Sequence, residues 1–278
     1  MMTKTFCSMA LVAALIPFVQ SAPAQNYKVA PKPAISDYGP FTNSKITNTN
    51  AHPASGMCGN PAGHCLFYGG DFVDNPLSSN VANGLSNENT TEISGSPYGA
   101  ATWVAFTVPA GQTWNVTGLF TNNQSTNGVL DQSPLLPEKA AFWSINEGTV
   151  PGSAGTVVAS GTSAATSTPT GRAAFGLNEY TVEVRGLSVT LTSGSYWMAV
   201  VPQCTNTSDP FCESVFFLSD VEYINTTPTN ASGPAEPLDA AFFDSPFFDL
   251  SFDPTNGTVG ACGGIGCDSF SAGVLGYK

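Results

Sequence analysis

Charge is scarce in this chain. Lys, Arg, Asp and Glu together make 10% of its 278 residues, where an ordinary soluble domain carries about 25%. The 20 acids outnumber the 8 bases, for a net charge of −12. Arginine occurs only as Arg172 and Arg185, and no cluster of Lys and Arg exists. Without one, nothing can displace counterions from phosphates, so nucleic acid and anionic membrane surfaces are excluded as partners. Histidine is nearly absent, with only His52 and His64. A serine or cysteine hydrolase needs a base beside its nucleophile, and no Gly-x-Ser-x-Gly elbow occurs here, which reads against that class. Beyond the N-terminal leader no apolar run approaches the ~18 residues of a membrane-spanning helix. Nor does any segment carry a sustained helical apolar stripe, so a parallel sheet with helical crossovers is not expected.

What is present is 42% hydrophobic residues, 11% aromatics, 28 glycines and 21 prolines. Glycine and proline at that frequency would interrupt a helical bundle, and they lack the period of collagen. The polar share falls to Ser, Thr and Asn, residues of turns and of solvated strand faces.

Residues 1–24 read as a signal peptide. Lys4 supplies the positive start, Met9 to Val19 the apolar stretch, and Ala22-Pro23-Ala24 the small–x–small site, with cleavage expected after Ala24. The mature protein is therefore expected to be secreted. Residues 25–56, rich in Pro, Asn, Ser and Thr, read as an extended or poorly ordered leader, and 57–278 as a single domain. Six cysteines remain after Cys7 is removed with the leader, in three local pairs: Cys58 and Cys65, Cys204 and Cys212, Cys262 and Cys267. In an exported chain these read as disulfides that staple loops. The alternative, a metal site built from Cys58, Cys65, His52 and His64, lacks the tighter spacing of structural zinc.

From Cys58 onward, short β-favouring runs alternate with turn clusters. Strands are expected at Thr102–Val108, Thr113–Thr121, Lys139–Asn146, Thr156–Ser160, Tyr180–Arg185, Leu187–Leu191, Tyr196–Val201, Ser214–Val221, Phe247–Phe252 and Phe270–Tyr277. Alternation puts Trp114, Val116, Gly118 and Phe120 on one face. It also puts Glu183 and Arg185 together on a wet face, with Tyr180, Val182 and Val184 behind them. Gly186 marks a bulge or bend. The expected fold class is all-β, a two-layer antiparallel β-sandwich, jelly-roll-like, with disulfide-clipped loops.

Several of these segments resemble a known family in order. Phe72-Val73-Asp74-Asn75, Trp114 to Phe120, the hairpin Pro151 to Gly161, Leu191 to Val200 with its Gly-x-Tyr-Trp, and Phe270 to Gly276 are similar to motifs of secreted bacterial β-sandwich surface proteins of the PEP-CTERM or choice-of-anchor type. The resemblance spans roughly residues 70–277 and implies a secreted β-sandwich of uncharacterised role. It carries over no catalytic residue. With no sorting motif after the last strand, release is expected rather than anchoring by that route.

Candidate sites are few. Asp239, Asp244, Asp249 and Asp253 punctuate a Phe-rich segment, and Asp71 and Asp74 follow Gly69-Gly70. Oxygen-rich loops of this kind suit a structural calcium ion, although neither follows an EF-hand pattern and Asp is also a common turn residue. No other cofactor is expected. Trp103, Trp114, Trp143 and Trp197 lie inside expected strands and read as core. Tyr68, Tyr98, Phe211 and Tyr223 border loops and are the better candidates for exposed rings that stack on sugars. Glu138, Glu147, Glu179, Glu183, Glu213, Asp220 and Glu222 are the acids near strands from which a glycosidase pair would have to come. The leading expectation is a non-catalytic extracellular structural or adhesive protein of undefined oligomeric state. A carbohydrate-binding module for cell-surface or extracellular polysaccharide, calcium-stabilised or not, is the alternative, and a glycosidase-type enzyme the third.

Overall fold

The computed structural model describes residue 58 and residues 65–70, 84–93, 96–125, 140–174, 177–204, 216–219, 241–245, 250–254 and 270–278. All of them lie within the compact unit Ala34–Lys278. The two leader segments, 1–24 and 25–56, lie outside the described residues. Every element among the described residues is a strand: β1 (Cys65–Tyr68), β2 (Gly84–Ser86), β3 (Glu88–Ile93), β4 (Ser96–Ser125), β5 (Ala140–Glu147), β6 (Thr156–Ala174), β7 (Leu177–Cys204), β8 (Phe216–Ser219), β9 (Phe242–Ser245), β10 (Leu250–Pro254) and β11 (Ala272–Tyr277). The protein is all-β. No helix among these residues is long and apolar enough to cross a membrane.

The strands join in one 11-stranded hydrogen-bonded sheet, along the path β1-β11-β4-β3-β7-β5-β6 with β2, β8, β9 and β10 attached beside it. Pairing is antiparallel except where β3 meets β7. Its backbone is a long ribbon of β4 and β7, 30 and 28 residues, paired from Val104 with Met198 to Ser125 with Asn178. The separate strands expected at 102–108 and 113–121 are one strand. Pro109 and Gly111 fall where the register shifts between Val108 and Thr113, and Gly111 has φ +76°. A proline can sit at such an interruption because no ladder bond requires its N–H. Tyr180–Arg185, Leu187–Leu191 and Tyr196–Val201 merge in the same way into β7. The bend expected at Gly186 is present, with φ +75° and a register shift against β4.

Residues from different stretches of the ribbon come together in the core. Phe106 stacks on Trp114 at 6.1 Å and on Tyr196 at 5.7 Å. Thr121 Oγ1 donates to the Val200 carbonyl at 3.1 Å, linking β4 to β7. Val104, Val108, Val116, Leu119, Val182, Val184 and Leu191 fill the space between. Trp103, Trp114 and Trp143 are buried, as expected of core rings.

One expectation of facing is corrected. Trp114 and Val116 join the main core, whereas Phe120 packs on the opposite face with Tyr68 and Leu275. Against β11, β4 carries an extra residue between Val116 and Gly118. A bulge of this kind flips the alternation, so Leu119 takes the core side and Phe120 the outer side.

Candidate functional site

The chemistry-bearing side chains gather on that outer face, across β1, β11, β4, β7 and β6. Register aligns Tyr68 with Gly273, Gly273 with Phe120, Phe120 with Glu183 and Glu183 with Thr166. One step along, Asn122 pairs with Thr181 and Thr181 with Thr168. Asn122 is the hub. Its Nδ2 donates to Ser271 Oγ at 2.7 Å and to Tyr68 Oη at 3.2 Å, and its Oδ1 accepts from Thr181 Oγ1 at 2.6 Å. Ser271 Oγ in turn donates to the Gly70 carbonyl at 2.7 Å. All four side chains are at most 1% exposed.

Along β7 the same parity continues as Glu179, Thr181, Glu183 and Arg185. Glu179 is buried and accepts from Thr170 Oγ1 at 2.8 Å. Glu183, expected on a wet face, is only 7% exposed; the Arg185 Nε stands 2.6 Å from its Oε1. Opposite charges do meet there, but on a buried carboxylate that lies beside Phe120 in the register. Burial pushes the Glu183 carboxyl above its usual range, with the Arg185 charge opposing the rise. Glu179 and Glu183 are about 13 Å apart along the strand at ~3.3 Å per residue. Thr170 holds one and Arg185 draws the other away, so they do not form the pair of carboxyls, about 5 to 10 Å apart, that glycoside hydrolysis uses.

The other candidates distribute as follows. Tyr68 is not an exposed ring. It is 1% exposed, packs on Phe120 at 5.6 Å and holds its hydroxyl in the Asn122 cluster. Being next to a glycine loop does not expose it, because its ring packs with Phe120 and Leu275 of the neighbouring strands and with the Cys58–Cys65 disulfide beside them. Tyr98 lies in β4; Phe211 and Tyr223 lie outside the described residues. Asp244 and Asp253 belong to the paired strands β9 and β10. Asp253 is registered with Phe243, a residue of the main core. Asp244 has the parity of Phe242, which belongs to a second cluster with Trp103 and Phe252. Alternation thus sends the two aspartates to opposite faces. Asp244 is half-buried and its carboxyl is raised by burial, opposed by a hydrogen bond from the Phe252 backbone. Asp71, Asp74, Asp239 and Asp249 lie outside the described residues, and among the described residues no group of three or more His, Cys, Asp and Glu is arranged to hold a metal.

Cys58 and Cys65 form a disulfide with Cα atoms 4.8 Å apart. Neither is then a thiolate ligand, which removes the metal site proposed around them. Cys204 ends β7, and Cys212, Cys262 and Cys267 lie outside the described residues. A second buried polar group escaped the reading of the sequence. Asn87 donates through Nδ2 to Asn123 Oδ1 and to the Val200 carbonyl, each at 2.9 Å. Asn123 Nδ2 in turn donates to Thr121 Oγ1 at 3.0 Å. The only signal for either cluster was the polar run Thr121-Asn122-Asn123 closing an otherwise apolar strand. No protein-family model, no curated protein and no solved structure matches this chain.

Proposed function

We propose that this is an exported, non-catalytic structural or adhesive protein, presenting a stable acidic surface outside the cell. One observation carries the reading: the buried polar cluster around Asn122 is consumed by its own members. The Asn122 amide has its oxygen and its nitrogen engaged by three framework residues. Glu179 is bonded to a neighbouring strand and Glu183 to its own. Groups fixed this way specify and stiffen a sheet; they are not held out toward a substrate. The Cys58–Cys65 bridge supports an oxidising compartment. Export through residues 1–24, further bridges Cys204–Cys212 and Cys262–Cys267, a two-layer sandwich and kinship with PEP-CTERM-type surface proteins belong to the same proposal.

The test is expression of the full chain in a bacterial host with an export pathway. The expected product begins at Gln25, is found outside the cytoplasm, resists protease and leaves polysaccharides intact. Retention on a glycan array would replace this reading with a carbohydrate-binding one. Polysaccharide turnover abolished by Glu179→Gln or Glu183→Gln would replace it with an enzymatic one.

A further inference from the structure

β6 closes the strand order at one side of the sheet, and among the described residues no strand pairs with its outer edge. The other end of that order is β1, only 4 residues long and pinned by the Cys58–Cys65 disulfide. β6 is 19 residues long. From Thr156 to Gly171 it carries no ionisable side chain. Ser160, Thr162, Ala164, Thr166 and Thr168 are exposed, and Val157 and Val158 are 53% and 39% exposed. An open edge presents a row of backbone donors and acceptors to any other strand, and proteins ordinarily blunt it with charge, proline or bulges. Here the blunting devices sit only at the ends. Val158 is the extra residue of a bulge against β5. Pro169, Arg172 and the register shift between Pro169 and Ala173 interrupt the other end. Ala159–Thr168 between them has none.

We infer that Ala159–Thr168 pairs edge to edge with the same segment of a second copy, antiparallel about a two-fold axis. Copies of a chain with net charge −12 repel one another over most approaches, and this strip brings no charge to the contact. Its Ala, Ser, Thr and Gly side chains let two backbones come within ladder distance. An isologous contact uses this edge up on both copies, so association through it closes at a dimer and does not propagate. The contact is smaller than the ~1,200 Å² of a standard interface, so the dimer is weak and concentration-dependent. This deepens the structural reading above and rests on it for its use outside the cell; the contact itself follows from the edge alone.

Sedimentation velocity on the oxidised protein, up to about 1 mM, tests it. The expected result is a reversible monomer–dimer equilibrium. Ala164 lies near the centre of the paired segment, where a new charge stands across or diagonal from its own copy. Ala164→Glu and Ala164→Lys should therefore each weaken association about tenfold or more. Mixing the two variants should restore it as a heterodimer, and unchanged circular dichroism shows that both fold. A strictly monomeric parent, open-ended assembly, or a dimer indifferent to Ala164→Glu would overturn the inference, as would a mixture that stays monomeric. If the dimer is absent while export and protease resistance hold, only this inference falls. If polysaccharide turnover appears with the dimer intact, only the structural reading falls.

Discussion

Replacing Asn122 with alanine should be among the most damaging single changes on the outer face. The amide makes three hydrogen bonds there, to Ser271, Tyr68 and Thr181. Their loss is not equally felt. Ser271 Oγ keeps the Gly70 carbonyl at 2.7 Å and stays 3.2 Å from Tyr68 Oη, so both of those hydroxyls retain partners. The Thr181 hydroxyl, 1% exposed, loses its acceptor. A neutral buried hydrogen bond is worth about 1 kcal/mol net, and an orphaned buried donor costs ~1–3 kcal/mol. The expected destabilisation is therefore about 3 kcal/mol, dominated by Thr181, or a fall in Tm of roughly 6–12 °C for a domain of this size. Thr181→Val keeps the shape of the side chain and orphans Asn122 Oδ1 instead, costing ~1–3 kcal/mol. The double variant removes both ends of the bond and should cost about 1–2 kcal/mol less than the sum of the single changes. Urea unfolding followed by the fluorescence of the buried tryptophans measures all three. An Asn122→Ala cost under about 0.5 kcal/mol, or strict additivity in the cycle, would refute the claim that this amide ties β1, β4 and β7 to the residue that leads into β11.

Stability should also depend on pH through two carboxyls. Burial raises Glu183 and Asp244 above their ordinary values of 4.5 and 3.8. The folded state then binds protons more tightly than the unfolded one, so their contribution is greatest when both are protonated and is lost as pH rises through the raised values. Glu183→Gln and Asp244→Asn should each flatten that fall in a urea-unfolding series spanning pH 4 to 8, approximately the carboxylate range and above; an unchanged slope in both contradicts the burial argument. Breaking the Cys58–Cys65 bridge by Cys58→Ala with Cys65→Ala frees a short loop, sequence separation 7, and should cost about 2 kcal/mol. Hydrogen exchange should localise the loosening to β1 and its partner β11, and uniform loosening would show that the bridge supports more than an edge. Gly273→Ala would place a Cβ 2.3 Å from the Phe120 ring and 2.9 Å from the Phe67 carbonyl, whereas Gly161→Ala meets Trp143 at an ordinary 3.5 Å. The first should cost about 2 kcal/mol or more by overpacking, and the second should be neutral within about 1 kcal/mol; thermal melts that reverse this order would show that β1 yields.

How far the fold could be read from the residues depended on which side chains marked each strand. Lys139–Asn146 and Phe270–Tyr277 carry branched aliphatics and aromatics against one solvated side, and they appear as β5 and β11 with shifts of a residue or two. β6 was visible only as Thr156–Ser160. Its continuation to Ala174 is Ser, Thr, Ala, Gly and Pro, residues whose own preferences suggest a loop. Pairing with β7 holds it extended all the same. The Phe-rich stretch reads as a single strand at 247–252, whereas it forms parts of two, β9, which pairs with β4, and β10, which pairs with β9. An aromatic run has no alternation from which to locate a turn. The disulfide Cys58–Cys65 was legible from the local pairing of the cysteines. The burial of Tyr68 and Glu183 was not, since both depend on neighbouring strands distant in sequence.

Burial on both faces of β4 also explains why the polar clusters exist. Period-two reasoning assumes a sheet with one dry face and one wet face. Between Leu119 and Asn123 every residue of β4 is buried, so both faces are dry. The bulge between Val116 and Gly118 turns Leu119 to the core and aligns Phe120 with Tyr68 and Leu275 of the neighbouring strands β1 and β11 on the other face. A fully apolar outer face there would compete with the core face for the same packing and weaken the register. Asn122, Thr181 and Ser271 remove that ambiguity, because a slip by one residue would leave each buried without its partner, at ~1–3 kcal/mol per group. The same residues that a search for active sites picks out as buried, polar and convergent therefore have a sufficient role in fixing which strand lies against which.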